Sequence, residues 1–213
     1  MSDVQIFVEG VTDQKFLQDI ITEWYGITLS IGTMDKPGEI LSLGGKAAFN
    51  SQEAIKKLTP LFQQLSIQEI PAIVVFDADT FKENYRYLTP HSSTHNFTFF
   101  LLPDNQRDGE IETLLEEIIC PDNRVVFDCW KEFENCLSGH ETASTESGRF
   151  TTPANKTKIY AYVETLVGNS DSEKEKIKDR NRDYRNPKHW NLDPSHPPLK
   201  PLKEFLDPFF NPQ

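Results

Sequence analysis

Between Pro71 and Thr80 the chain reads AIVVFDAD. Its apolar residues stand in an unbroken row, too short for a core helix and rich in β-branched side chains, so it reads as a strand with no polar face. A strand buried on both sides belongs to a parallel sheet covered by helices above and below. The run then ends on two acids, Asp77 and Asp79. A carboxylate at the end of a buried strand needs a partner, because leaving it unpaired there is costly.

The segments around this strand repeat the same logic. VQIFVE, residues 4–9, is a short apolar run that also ends on an acid, Glu9. A helix is expected over 13–25, with Thr12 as N-cap and one apolar face formed by Phe16, Leu17, Ile20, Ile21 and Trp24. Lys36-Pro37-Gly38 signals a turn before a short strand, EILSLGG. A second helix is expected over 51–65, carrying Ile55, Leu58, Leu61, Phe62 and Leu65, and a short one near 80–88 precedes the strand in NFTFFLLPDN. The order β-α-β-α-β-α-β predicts an α/β fold with a mostly parallel four-stranded sheet flanked by helices.

After this unit, taken as residues 1–106, the pattern turns helical. GEIETLLEEII and RVVFDCWKEFENCL read as two helices broken at Pro121, and KTKIYAYVETLVG as a third, after a polar loop over 140–155. The basic residues from Lys174 to Arg185 are interleaved with acids and read as a solvated helix. A proline-punctuated tail closes on one short amphipathic helix. Residues 107–213 are therefore expected as a C-terminal helical extension packed on the α/β unit.

Composition narrows the function classes. A net charge of -11 argues against adhesion to nucleic acid through a large basic face, yet permits a carboxylate-rich site whose charge is reversed by divalent ions. No apolar stretch approaches the ~18 residues of a membrane span. MSDVQ lacks the basic and apolar regions of a secretory signal, so a cytoplasmic protein is expected. Cys120, Cys129 and Cys136 lack metal-ligand spacing and are expected reduced and half-buried.

The acids fall where ligands bind in such a sheet, beyond the carboxyl ends of its strands. Glu9 closes the first strand, with Asp13 a helical turn later; Asp77 and Asp79 close the third, two residues apart and so able to point the same way; Glu110 and Glu112 follow the fourth. Such a cluster repels itself unless a hard cation lies among the carboxylates, and oxygen-only ligands favour Mg²⁺ or Mn²⁺. Gly44-Gly45-Lys46 lacks the spacing of a phosphate-binding loop but can shape a turn beside the site. Lys46 and Lys82 are the weaker candidates for phosphate contacts.

Glu-Gly after the first strand, D-x-D after the third, and this element order resemble the Toprim domain of topoisomerases, bacterial primases and certain nucleases. VEGVTDQKFL is most similar to the OLD-like and small stand-alone branch, in which a second acid follows the glutamate by four residues, here Asp13 after Glu9. DGEIETLL and the tail from KTKIYAYVETLVG onward are similar to a small bacterial family of that kind. The resemblance implies metal-dependent phosphoryl transfer on DNA or RNA, in the service of genome maintenance or phage defence. Asp77 and Asp79 would hold one divalent ion, Glu9 would be a ligand or general acid/base, and Asp13 with Glu112 would complete a second position. No ATPase motif accompanies the domain, which leaves room for a separate ATPase partner, and a homo-oligomer is equally open. A catalytically weak binding subunit and a hydrolase of small phosphate compounds remain as alternatives.

Overall fold

A computed structural model describes residues 4–211. Its centre is a five-stranded, all-parallel sheet in the order β2-β3-β1-β4-β5. The strands are β1 (Gln5–Val8), β2 (Ile31–Thr33), β3 (Ile40–Ser42), β4 (Ala72–Asp77) and β5 (Phe97–Leu102). β1 lies between β3 and β4, so the chain winds outward from it in both directions. That places a crevice beyond the carboxyl end of β1, where this class of sheet binds its ligands.

Residues of each strand alternate between two cores. Ile6, Val8, Ile73, Val75, Phe100 and Leu102 face one side; Phe7, Val74, Phe76, Phe97 and Leu101 face the other. The second side is covered by α2 (Gln52–Ile67) and α3 (Phe81–His95), through Leu58, Phe62, Leu65 and Leu88. The first is covered by α1 (Val11–Tyr25) and by nearly everything after β5. Its helices are α4 (Ile111–Glu117), α5 (Arg124–Ser138), α6 (Asn155–Leu166), the short α7 (Asp171–Lys174) and α8 (Lys200–Phe210). Trp24 donates its indole N–H to the Leu192 carbonyl at 2.7 Å, and Phe100 packs on Phe205 of α8 at 5.2 Å between ring centroids. The C-terminal half thus completes the core on one face of the sheet.

Several expectations need correction. The sheet gains a fifth strand, β2, only three residues long. It is held by a close backbone approach: a Cβ on Gly38 would lie 2.3 Å from the Gly32 nitrogen, so only glycine fits there. The first helix starts at Val11 with Gly10 as N-cap, not at Thr12, because the Asp13 carboxylate accepts the Gly10 N–H at 2.7 Å. α3 continues through Pro90 to His95, well past residue 88. The basic stretch is not a helix beyond α7; it folds into 3-10 turns at Glu175–Ile177 and Asp179–Asn181, and Arg182 is buried. Cys120 is half-buried as expected, whereas Cys129 and Cys136 are exposed; all three are free thiols. No helix among the described residues is long and apolar enough to cross a membrane.

Candidate functional site

A pocket of about 490 Å³ opens beyond the carboxyl end of β1. Glu9, Asp13, Asp77, Glu110 and Glu112 line it together with Lys156 and Asp179. The first residues of α1 and α4, and Ala154 before α6, form the rest of its wall. Four of the five acids expected as metal ligands therefore meet here, Glu9, Asp13, Asp77 and Glu112, and Glu110 joins them.

Three of them are tied to backbone. The Asp77 N–H donates to Glu9 Oε1 at 3.2 Å, and Asp77 Oδ1 in turn accepts the Ile111 N–H at the start of α4 at 2.7 Å. The Gly44 and Gly45 N–H groups both donate to the Glu9 carbonyl at 3.1 Å. The glycine pair thus wraps the end of β1, and the 3-10 turn Lys46–Phe49 starts beside it. Asp13, by capping its own helix, is held one turn from Glu9 with one oxygen committed to Gly10 and the other uncommitted to that cap.

The electrostatics of the four are adverse. Burial raises the Asp77 carboxyl to about 8, and the charges of Asp13 and Glu9 add to the effect against the Ile111 hydrogen bond. Burial likewise raises Asp13 to about 7, helped by Glu9 and Glu112 and opposed by the Gly10 N–H and Lys156. Glu9 is raised by burial, partly countered by the charge of Lys46 and by the N–H groups of Asp77 and Lys46. Glu112 is raised by burial and by Glu110, with Lys156 opposing. Raised to about 7 and about 8, Asp13 and Asp77 share protons at neutral pH rather than both carrying full charge.

Asp79 stands apart. The strand ends at Asp77, and Asp79 adopts a left-handed backbone (φ 44°), so the two-residue alternation that would align the pair is broken. Its N–H donates to the Gly109 carbonyl at 2.7 Å and its carboxylate, half exposed, pairs with Lys46 outside the pocket wall. Gly109 has φ 147° and a Cβ there would press on Pro103 at 3.0 Å, which accounts for glycine at that bridge. Lys46 acts on Glu9 through its charge; Lys82 is exposed on the first turn of α3 and does not line the pocket.

Two residues escaped the sequence reading. Lys156, in the first turn of α6, reaches the acids from the C-terminal half and pairs with Asp179 at 3.1 Å. Burial opposes its charge, but the hydrogen bond and charge of Asp179 outweigh it and keep the ammonium protonated. Burial would raise Asp179; hydrogen bonds from Tyr160 and Lys156 and the Arg182 charge hold it below the ordinary carboxylate range. Arg182, 2% exposed, lies 3.2 Å from Asp179 and 5.0 Å from the Tyr160 ring centroid. No strand-end pattern marks either residue.

The family model for a protein of unknown function (DUF3226) matches residues 3–211. The chain belongs to that family. No curated protein and no solved structure matches the chain.

The donor set suits a hard divalent cation in its chemistry: carboxylate oxygens only, mutually repelling, in a polar pocket. Asp13 and Asp77 each commit one oxygen to a backbone N–H and keep the second. Among the described residues, no three carboxylate, imidazole or thiol side chains are already drawn together as ligands of one ion.

Proposed function

We propose that this chain is a divalent-metal-dependent phosphoryl-transfer protein acting on nucleic acid, a nuclease of Toprim type. The observation that carries the reading is the convergence of Glu9, Asp13, Asp77 and Glu112 on one pocket, with carboxyls raised by burial and by each other. Uncompensated buried acids are expensive, and a fold keeps such a group where function requires it. Asp13, Asp77 and Glu112, with Glu9, would hold Mg²⁺ or Mn²⁺. When bound, the ion supplies Lewis-acid polarisation of a phosphoryl oxygen and lowers the pKa of a water.

The chain's own groups divide the remaining work. Lys156, held by Asp179 at the pocket wall, is placed to meet a phosphate oxygen. Glu9, raised by burial and held at its carboxyl by the Asp77 N–H, is placed to accept a proton and return it. Lys46, paired with Asp79, tunes Glu9 from outside the pocket. The net charge of -11 favours a second reading, a hydrolase of small phosphate compounds, since such substrates need no extended basic track.

Incubation with Mg²⁺ or Mn²⁺ and single-stranded, nicked or supercoiled substrates tests the proposal, with Asp77→Ala as control. Metal-dependent cleavage that the substitution abolishes supports it. Cleavage that survives Asp77→Ala removes this pocket from consideration. Metal binding by calorimetry without cleavage of polymers turns the reading towards small phosphates or a binding subunit.

A further inference from the structure

A separate pocket of about 330 Å³ opens where the carboxyl end of α6 meets the turns that follow α7. Part of its lining is apolar, from Val163, Leu166 and Val167. The rest is polar and brings together Lys176, Arg182, Lys188 and His189, with two acids, Glu173 and Asp183.

The acids are already engaged. Glu173 accepts the Ser170 N–H and hydroxyl at 3.1 and 2.6 Å, and Asp183 accepts the Arg185 N–H at 3.1 Å. The donors are not. Among the described residues, the Lys176 and Lys188 ammoniums form no salt bridge, and the His189 ring and the Asn186 amide nitrogen of the same pocket have no hydrogen-bond partner. Burial lowers the His189 imidazole; Asp183 opposes this, and the charges of Lys176 and Lys188 lower it further, so both ammoniums are felt at that ring.

Arg182 adds a buried donor to the same lining. It spends its outer nitrogens on the Tyr184 hydroxyl, the Ile177 carbonyl and Asp179, and leaves Nε enclosed without a hydrogen-bond partner. An enclosed donor that lacks an acceptor is costly. In a chain carrying -11, unpaired lysines and an unanswered guanidinium nitrogen at one pocket favour an anion there.

We propose that this pocket binds a nucleoside monophosphate, its phosphate received by Lys176, Lys188 and His189 and its base laid on Val163, Leu166 and Val167. A phosphate calls for charge-assisted donors, which the first group supplies. The apolar wall separates a nucleotide from inorganic phosphate or a sugar phosphate, neither of which has an apolar face to bury. The Asn186 amide is left to donate to a base edge. The volume stands at the lower end of the ~300–1,000 Å³ of small-molecule sites, which suits one nucleotide rather than a length of strand. A free mononucleotide and the phosphorylated end of a strand offer the same chemistry. The inference does not rest on the nuclease reading, though Arg182 joins the two pockets: Asp179, 3.2 Å from it, pairs through its other oxygen with Lys156 of the acidic site.

Calorimetry of the full chain in EDTA, which removes metal-mediated binding at the acidic pocket, is the test. The probes are adenosine and thymidine 5′-monophosphates, the matching nucleosides and inorganic phosphate. Nucleotide binding is expected, with the nucleosides and inorganic phosphate each weaker by about tenfold or more. Lys176→Glu and, independently, Lys188→Glu should each weaken nucleotide binding by about tenfold or more. Both lysines are exposed, so circular dichroism should show the variants folded. A 5′-phosphorylated oligonucleotide that binds more tightly than the mononucleotide, through the same lysines, makes a strand end the ligand; one that binds no more tightly makes it the free nucleotide. The proposal is overturned if no nucleotide binds at millimolar concentration, if binding survives both lysine variants, or if inorganic phosphate binds as tightly. Binding that Asp77→Ala abolishes and both lysine variants retain belongs to the acidic pocket and overturns it equally.

Discussion

Asp13 and Asp19 stand six residues apart on α1 and are almost equally buried, at 5% and 3% exposure, yet their surroundings are opposite. Asp19 is answered at every side: Lys15 pairs with it at 2.5 Å, the Tyr184 N–H donates at 2.9 Å, and Arg185 approaches at 3.9 Å. Asp13 has one N–H of its own helix and otherwise looks towards Glu9, Glu112 and Asp77, with only Lys156 to oppose them. One acid ties α1 to the C-terminal segment; the other belongs to a cluster that weakens the fold as it ionises. The difference separates an acid kept for structure from one kept for chemistry.

The largest effect expected from breaking that contrast is on activity. Asp77→Ala should lower Mg²⁺- or Mn²⁺-dependent cleavage by about 10²-fold or more, the scale of a positioned ionisable group in catalysis. The metal-free Asp77→Asn variant, which keeps an acceptor for the Ile111 N–H, should melt no lower than wild type, because a repelling carboxylate has left the cluster. Initial rates of the first variant and a melting curve of the second check both halves. Equal loss of activity and stability would place Asp77 with Asp19, as a structural acid.

The next effect concerns stability and should change sign along one helix. Asp19→Asn removes the charge that Lys15 and Arg185 answer, and should cost about 1–3 kcal/mol. Asp13→Asn keeps an acceptor for the Gly10 N–H while removing a repelling charge, and should raise the melting temperature at alkaline pH. For a chain of this size, each kcal/mol corresponds to roughly 2–4 °C. Urea unfolding of the two variants measures the pair directly.

The acidic cluster, though not its contrast with Asp19, was legible in part before the structure, and the gaps have physical causes. Glu9, Asp77 and Glu112 could be placed because parallel strands carry residues after their carboxyl ends to a shared edge. Asp79 could not, since alternation holds only while the strand continues, and the chain turns left-handed at that residue. β2 escaped because three residues with a central glycine carry no periodic signal, and its strand is fixed by the Gly32–Gly38 approach. Lys156 and Asp179 escaped because their place depends on how α6 packs against α4, where Lys158 pairs with Glu116 at 2.8 Å. Arg182 lay inside a basic run that looked solvated; its burial follows from Asp179, Tyr184 and the Ile177 carbonyl, which sequence spacing alone does not bring together.

The pH dependence sharpens the comparison further. Asp13 and Asp77 are raised from 3.8 to about 7 and about 8, so between those limits the native state holds protons that the unfolded chain has released. Stability therefore depends negatively on pH there: the contribution is fully present below about 4, is lost as pH climbs to about 8, and is flat beyond. Metal-free protein should melt progressively lower across that window. Asp77→Asn should flatten the slope, and saturating Mn²⁺ should reverse it, since a cation binds the ionised carboxylates. Thermal melts at several pH values, with and without Mn²⁺, read all three outcomes.

The smallest effect is expected at Lys156, the cation that opposes the acids from the other half of the chain. Lys156→Met removes a charge that lowers Asp13 and Glu112, so both carboxyls should rise further. The acid limb of the rate–pH profile should move to slightly higher pH, because the acids now ionise later. Substrate affinity should fall several-fold, the scale of a single charge-assisted hydrogen bond to phosphate, and Lys156→Arg should restore part of it while keeping the pair with Asp179. A purely structural lysine would instead lower the melting temperature and leave KM and the pH profile unmoved. Asp179→Asn frees Lys156 from its partner and removes a negative charge that raises Glu112, so it should move the profile the opposite way; a shift to higher pH with Lys156→Met and to lower pH with Asp179→Asn assigns the effect to charge in the pocket.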